Sequence, residues 1–367
     1  MKKIVYLSPL YFNEKSCLGG GERYPLNCAR GVAEASRGTC TVEIISYDKK
    51  PAYHEFQPGV SLRLLPAAKF ADPLNVLSWD LPAALAQADL VHIHQAAMRA
   101  SEVALWVAKL QGKLICVTDH GSTTSTVGIY QDRLEVTDRI VCYSDYGASL
   151  FHTKTPIEVI KGGVDCSFFQ LPADRRQRDR VLYVGRLVPH KGVDQLIEAM
   201  PNDMLLTVCG RPYHKAYYAK LKDLSKNKRV EFVTDADDAD IRSLYHRSWA
   251  NVLPSLYEDC YGQLQPAPEL MGLTLLEAMA CGTPAICSNV GAMPEFVRHG
   301  ETGFVYDHPE QLTDYLNYLR ERPEVAEQIG QRARQVVERE FDYRVVGRKL
   351  LGLYERMTGS RVMEAAA

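Results

Sequence analysis

The stretch VLYVGRLVPHKGVDQLIEA, residues 181–199, reads as a buried strand, a tight turn and a helix. The strand ends at Gly185, Arg186 follows at once, and Lys191 stands before Gly192 and the next helix. Two cations at the carboxyl end of a buried strand matter because open α/β sheets hold their ligands there. Similar short β-branched or aliphatic runs recur on either side: KIVYLS, TVEIISY, DLVHIHQ, KLICVTD and RIVCYS before it, LLTVCG, VEFVT, ANVLPS and PAICSN after it. Helix-like segments separate them, and that alternation predicts parallel sheets covered on both faces. Periodicity lapses over DCSFFQLPADRRQRDR, residues 165–180, which is taken as a linker. The expected fold class is therefore α/β, with two Rossmann-like domains, 1–168 and 178–341, facing each other across a cleft. A C-terminal amphipathic helix over 342–357, with Val345, Val346, Leu350, Leu351 and Tyr354 on its apolar side, is expected to pack back on the first domain, and VMEAAA beyond it to fray.

At 367 residues, 46% hydrophobic and 24% charged, the chain has material for two cores. A formal charge of -2 provides no basic field of the kind that gathers nucleic acid, so no nucleic-acid partner is expected. The opening MKKIVYLSPLYF is broken by Ser8 and Pro9 too early for a signal sequence, and no apolar run approaches the roughly 18 residues of a bilayer span. A cytoplasmic location is the expectation, with the ten scattered cysteines kept as reduced thiols.

A second stretch, PELMGLTLLEAMACGTP at 268–284, carries two glutamates. Thr274 and Glu277 fit a capping box, which explains Glu277 without any ligand. Glu269 has no such explanation, since no local helix rule asks for an acid there. A helix opening at Gly272 to Thr274 would present free amides and a positive dipole end to a phosphate. Carboxylates beside such an anion site suit sugar hydroxyls, leaving the phosphate charge to Arg186 and Lys191.

These pieces resemble the family-four retaining glycosyltransferases of the GT-B fold. The resemblance rests on GGGERYPLNCARGVAE, VHIHQ, VTDHGS, GGVDCSFF, VGRLVPHKGVD and the run from Pro268 to Tyr306, in the family's order from residue 19 to residue 306. Its most specific element is Arg-x4-Lys joined to Glu-x7-Glu. It implies that Arg186 and Lys191 bind the donor diphosphate and that Glu277 holds the nucleotide ribose. Glu269 would hold the transferred sugar, and backbone amides around Met271, Gly272, Leu273 and Thr274 would complete the cradle. Gly19 and Gly20 would let the backbone approach the phosphates, and His120 would sit beside donor sugar and acceptor. His94 is expected to line the cleft or orient a neighbour; with His92 it shares one face of a strand, but no further zinc ligand is evident.

The implied activity is transfer of a hexosyl unit from a nucleotide-diphosphate sugar, UDP favoured, to a saccharide, lipid-linked or small-molecule acceptor. No cofactor and no metal are expected. The rival readings are a sugar-nucleotide epimerase and a silent nucleotide-sugar-binding partner of a transferase. Two stretches stand apart. The segment LYEDCYGQLQPAPELMG lengthens the loop over 256–268 relative to the family and is expected to shape sugar or acceptor choice. Asp235, Asp237, Asp238 and Asp240 spell Asp-x-Asp twice, but Asp238 or Asp240 reads as a helix N-cap rather than a metal ligand. The basic-aromatic run at 213–229 reads as a solvated helix, with weak contact to a membrane surface as the other reading.

Overall fold

The computed structural model describes residues 1–9, 20–68, 76–95, 98–120, 134–173 and 178–365. The chain divides into two compact units, Met1–Gly163 with Asp342–Ala367, and Val164–Phe341.

Unit one is built on an eight-stranded sheet. Its strands are β1 (Lys2–Leu7), β2 (Cys40–Asp48), β3 (Ala52–Gln57), β4 (Val60–Pro66), β5 (Leu90–His94), β6 (Leu114–Thr118), β7 (Arg139–Cys142) and β8 (Ile157–Val159), in the order β3-β4-β2-β1-β5-β6-β7-β8. All neighbours are parallel except β3 and β4. One side of the sheet packs Val5, Leu7, Ile45, Val91, Ile93, Ile115 and Val117 into a buried core. The near-continuous apolar runs follow from burial on both faces. Edge strand β3 is exposed over Tyr53, His54, Glu55 and Phe56, so it carries no burial pattern for a sequence reading to find.

The helix Tyr343–Ala365 closes unit one and continues past the expected end at 357 through VMEA. It lies so close to the helix Gly20–Ser36 that a Cβ on Gly347 would stand 2.1 Å from the Gly31 carbonyl carbon. Only paired glycines allow that approach. Tyr343 braces the same contact, with Arg30 4.7 Å over its ring and its hydroxyl donating to Glu34 at 2.9 Å.

Unit two has six parallel strands: β9 (Arg180–Val184), β10 (Leu205–Cys209), β11 (Val230–Val233), β12 (Ser248–Leu253), β13 (Ala285–Ser288) and β14 (Gly303–Tyr306). Their order, β11-β10-β9-β12-β13-β14, is that of a doubly wound sheet, and it reverses between β9 and β12. Unit two begins at Val164, just before the stretch 165–180 in which periodicity lapses. Hydrogen bonds rather than periodicity hold 164–169 in unit two. Val164 N donates to Phe341 O at 3.2 Å, Arg334 donates to the carbonyls of Cys166 and Phe169, and Arg242 donates to Phe168 O at 3.2 Å.

The run at 213–229 forms the helix Lys215–Leu224, which buries Tyr217 and Leu221 and leaves most of its lysines outward. Among the described residues no helix is long and apolar enough to cross a membrane.

Replacing Gly347 by valine should destabilise unit one by about 2 kcal/mol through overpacking. Amide exchange of β1 and β5 should accelerate while that of β9 and β12 stays unchanged; unaltered exchange in β1 and β5 would contradict the packing role given to this glycine pair.

Candidate functional site at the strand switch

The loops that follow β9 and β12 flank the point where the strand order of unit two reverses, the usual ligand crevice of an open sheet. After β9 the chain makes a single 3-10 turn, Pro189–Lys191, and leaves it through Gly192 at φ 64°. A Cβ on Gly192 would stand 2.1 Å from Pro254 O, just beyond β12. Leu256 N also donates to His190 O at 2.8 Å, so the two loops are joined backbone to backbone.

That junction brings Lys191 and Glu269 together. Lys191 is only 9% exposed, and its ammonium donates to Glu269 Oε2 in a buried ion pair. Ser255 Oγ donates to the same oxygen at 3.3 Å, while Gly272 N donates to Glu269 Oε1 at 3.1 Å. Glu269 therefore has a local structural role that the sequence did not reveal: it satisfies an amide at the start of a helix. Arg186 differs from Lys191. It is exposed, its guanidinium makes no ion pair among the described residues, and its carbonyl is held by the Tyr183 hydroxyl at 2.8 Å. Burial, with Lys191 and Arg186 nearby, pushes the His190 imidazole down to about 4, so the turn carries two positive charges at neutral pH rather than three.

The helix Leu273–Ala280 is capped by the backbone of Gly272 at φ 79°, with no side-chain cap. The expected Thr274–Glu277 capping box is absent, because Thr274 lies inside the first turn and not at the cap. Among the described residues neither Leu273 N nor Thr274 N donates a hydrogen bond, which leaves two amides at the positive end of the helix dipole. Met271 is buried beside them. Glu277 is 1% exposed and accepts from the Tyr245 hydroxyl at 3.1 Å. The acids near 237 form a capping box, but its N-cap is Asp237 and its return partner Asp240: Asp240 N donates to Asp237 Oδ1 at 2.8 Å. Sequence reading placed the cap one or three residues too late, since four closely spaced acids offer several registers.

The lengthened loop is an ordered hairpin. Glu258 and Leu264 form an antiparallel bridge, Gln265 N donates to Tyr257 O at 2.6 Å, and buried Asp259 accepts from Tyr261 N and Gln263 N. The Tyr257 hydroxyl accepts from Gly291 N at 3.0 Å, and Gly291 lies against the Glu269 backbone. The loop is thus fastened beside Glu269, with Tyr261 and Leu264 exposed.

In unit one the corresponding strand reversal lies between β1 and β5. Gly20 opens the helix after β1, and Gly19 lies outside the described residues. His94, 1% exposed at the end of β5, meets His120: Nδ1 of the first and Nε2 of the second are 3.1 Å apart. His120 Nδ1 also bonds the Tyr143 hydroxyl, so both its ring nitrogens are engaged. His92 stacks on His94 with centroids 4.4 Å apart and bonds Thr118 Oγ1 at 2.7 Å and the Tyr354 hydroxyl at 2.6 Å. Tyr354 in turn lies 2.8 Å from the Tyr6 hydroxyl. Burial lowers all three imidazoles, with mutual repulsion adding at His92 and His94, and His92 and His120 fall to about 3. Tyr143, Ser255 and Tyr245 were not singled out by sequence, although Tyr143 and Ser255 lie in quoted strand runs, and Tyr354 was read only as an apolar helix residue. Among the described residues no three potential metal ligands cluster, and the nine described cysteines are free.

The family described as Glycosyltransferase Family 4 matches residues 18–168, and that described as Glycosyl transferases group 1 matches residues 169–336. The chain belongs to the family-four GT-B glycosyltransferases. Among similar sequences, a glycogen synthase of Mycobacterium tuberculosis is 32% identical over 213 residues, 54% of this chain and 48% of that protein. The chain thus spans about half the length of the first such relatives. A D-inositol 3-phosphate glycosyltransferase of Salinispora tropica is 27% identical over 83% of this chain and 73% of its own. In fold, the sucrose-phosphate synthase of Thermosynechococcus elongatus matches at a TM-score of 0.79 with 20% identity, over 98% of this chain and 100% of that one. Anabaena HepE in complex with UDP and glucose matches at 0.73 with 17% identity, over 97% and 100%.

The three neutral histidines of unit one set a pH dependence. Their folded pKa values lie below the ordinary 6.5, so the unfolded chain takes up protons first as pH falls. Stability from this cluster is complete above about pH 6.5 and is lost as pH falls towards 3. The loss at pH 5.5 is about 1 kcal/mol for each of His92 and His120. Urea midpoints between pH 7 and 5.5 should therefore fall, and His92→Gln should reduce the slope by about one quarter, since His190 is lowered as well. An unchanged slope in that variant would mean that His92 titrates normally in the folded protein.

Proposed function

We propose that the protein is a retaining, metal-independent hexosyltransferase that moves a hexosyl unit from a nucleoside-diphosphate sugar, with UDP preferred, to a hydroxyl acceptor. The observation that carries this reading is the convergence at one strand switch of exposed Arg186, the buried Lys191–Glu269 pair and the unbonded amides of Leu273 and Thr274. Such an array suits a diphosphate with hydroxyl-rich groups on either side. The UDP and glucose held by Anabaena HepE support the donor class.

In this reading Arg186, Lys191 and the helix amides, with the backbone of Met271 and Gly272, bind the diphosphate. Glu269 accepts from hydroxyls of the transferred sugar, and Glu277 accepts from the ribose. As the glycosidic bond breaks, negative charge grows on the departing diphosphate, and fixed cations and amides stabilise it without rearranging. The acceptor attacks from the face the diphosphate leaves, giving its proton to a phosphate oxygen. His120, kept neutral and oriented by His94 and Tyr143, is the unit-one residue assigned to the transfer step. The positive charge that a divalent ion would bring is already provided by Arg186, Lys191 and the dipole, so no metal is required.

Arg186→Ala should lower turnover by about two to three powers of ten with little change in stability. Purified protein should release nucleoside diphosphate slowly from UDP-glucose without acceptor, whereas an epimerase would isomerise the donor and a silent binder would do neither. Turnover of Arg186→Ala within tenfold of the parent would remove this residue from the diphosphate role.

Activity should survive excess EDTA, and Asp237→Ala should cost about 1 kcal/mol of stability through its lost N-cap without abolishing turnover. Inactivation by chelator, reversal by manganese and loss of that reversal in Asp237→Ala would overturn the metal-independent reading.

A further inference from the structure

We infer that Glu269 is a specificity-determining residue that makes the site discriminate against the bare nucleoside diphosphate left after transfer. The inference rests on the donor reading above and concerns the Lys191–Glu269 ion pair. Both side chains are largely buried, at 11% and 13% exposure, and the carboxylate cannot swing away easily. Gly272 N fixes one oxygen and Ser255 Oγ helps fix the other, while Gly291 and Ala292 N hold the Glu269 carbonyl from behind.

A diphosphate that engages Lys191 must draw the ammonium from this carboxylate or share it. The carboxylate then faces an anion from a desolvated position with one donor fewer, an unfavourable state for a buried charge. An intact sugar nucleotide restores what is lost, because a sugar hydroxyl donates to Glu269 Oε2 where the ammonium had been. The bare diphosphate brings no such hydroxyl. Lys191 is therefore available in full only to a ligand that also satisfies Glu269, and the product is released by the same pair that accepts the donor.

Calorimetric titration of UDP, GDP, UDP-glucose and GDP-mannose into the full chain tests this with Glu269→Gln, Lys191→Ala and the double variant. Glutamine keeps an oxygen for Gly272 N, so the helix start is preserved. Glu269→Gln should bind its nucleoside diphosphate at least tenfold more tightly than the parent and the matching sugar nucleotide no more tightly. In the Lys191→Ala background the tightening should disappear. Ser255→Ala, which removes a neutral donor, should leave the diphosphate affinity within threefold. Unchanged diphosphate affinity in Glu269→Gln would overturn the inference. So would equal tightening in the Lys191→Ala background, since the carboxylate would then act by simple repulsion. Failure of the parent and every variant to bind any of the four ligands would instead refute the donor reading itself.

Discussion

The approach of Gly192 to the carbonyl of Pro254 is the constraint on which the site of unit two depends. Strands β9 and β12 are neighbours in the sheet but lie far apart in sequence, and their following loops leave in opposite directions. Any side chain at Gly192 would hold those loops apart, since even a Cβ would fall within bonding range of the Pro254 oxygen. With hydrogen there instead, the turn after β9 delivers Lys191 to Glu269, and the same carboxylate reaches the helix start at Gly272. One steric allowance thus sets the positions of a cation, an acid and two open amides.

The two units apply different electrostatic strategies at equivalent places in their sheets. At the β9/β12 switch, charge is retained and either paired, as in Lys191, or left exposed, as in Arg186. At the β1/β5 switch, titratable groups are held neutral: three imidazoles and four tyrosines share a buried region, joined by hydrogen bonds and ring contacts. Charge at the first switch suits the diphosphate proposed for it. The neutral hydrogen-bonded network at the second holds His120 in one orientation.

Much of this architecture was legible in the sequence because burial on both faces of a parallel sheet leaves unbroken aliphatic runs. All ten runs identified by that rule are strands. Strands β3, β4, β8 and β14 were not identified. β3 is an exposed edge and β8 has only three residues, so neither carries enough pattern to be distinguished from a loop. The caps were harder still. Thr274 and Glu277 have the spacing of a capping box, yet the αL backbone of Gly272 starts the helix two residues earlier. The Lys191–Glu269 pair joins residues 78 apart, and nothing in local sequence encodes such a meeting. The hydroxyls that orient buried groups, from Tyr354 to His92 and from Tyr245 to Glu277, escape sequence reading for the same reason.

The return of the C-terminal helix to unit one fixes an order of assembly. Tyr354 completes the buried hydroxyl chain with Tyr6 and His92, and Gly347 completes the packing against Gly31, yet both emerge from the ribosome after all of unit two. Unit two is continuous from Val164 to Phe341 and can finish folding during synthesis. Unit one has to wait with its groove against the helix Gly20–Ser36 open until the last segment arrives. A truncated translation product lacking that segment would therefore carry a finished second unit beside an unfinished first, and the missing helix would mark it for quality control.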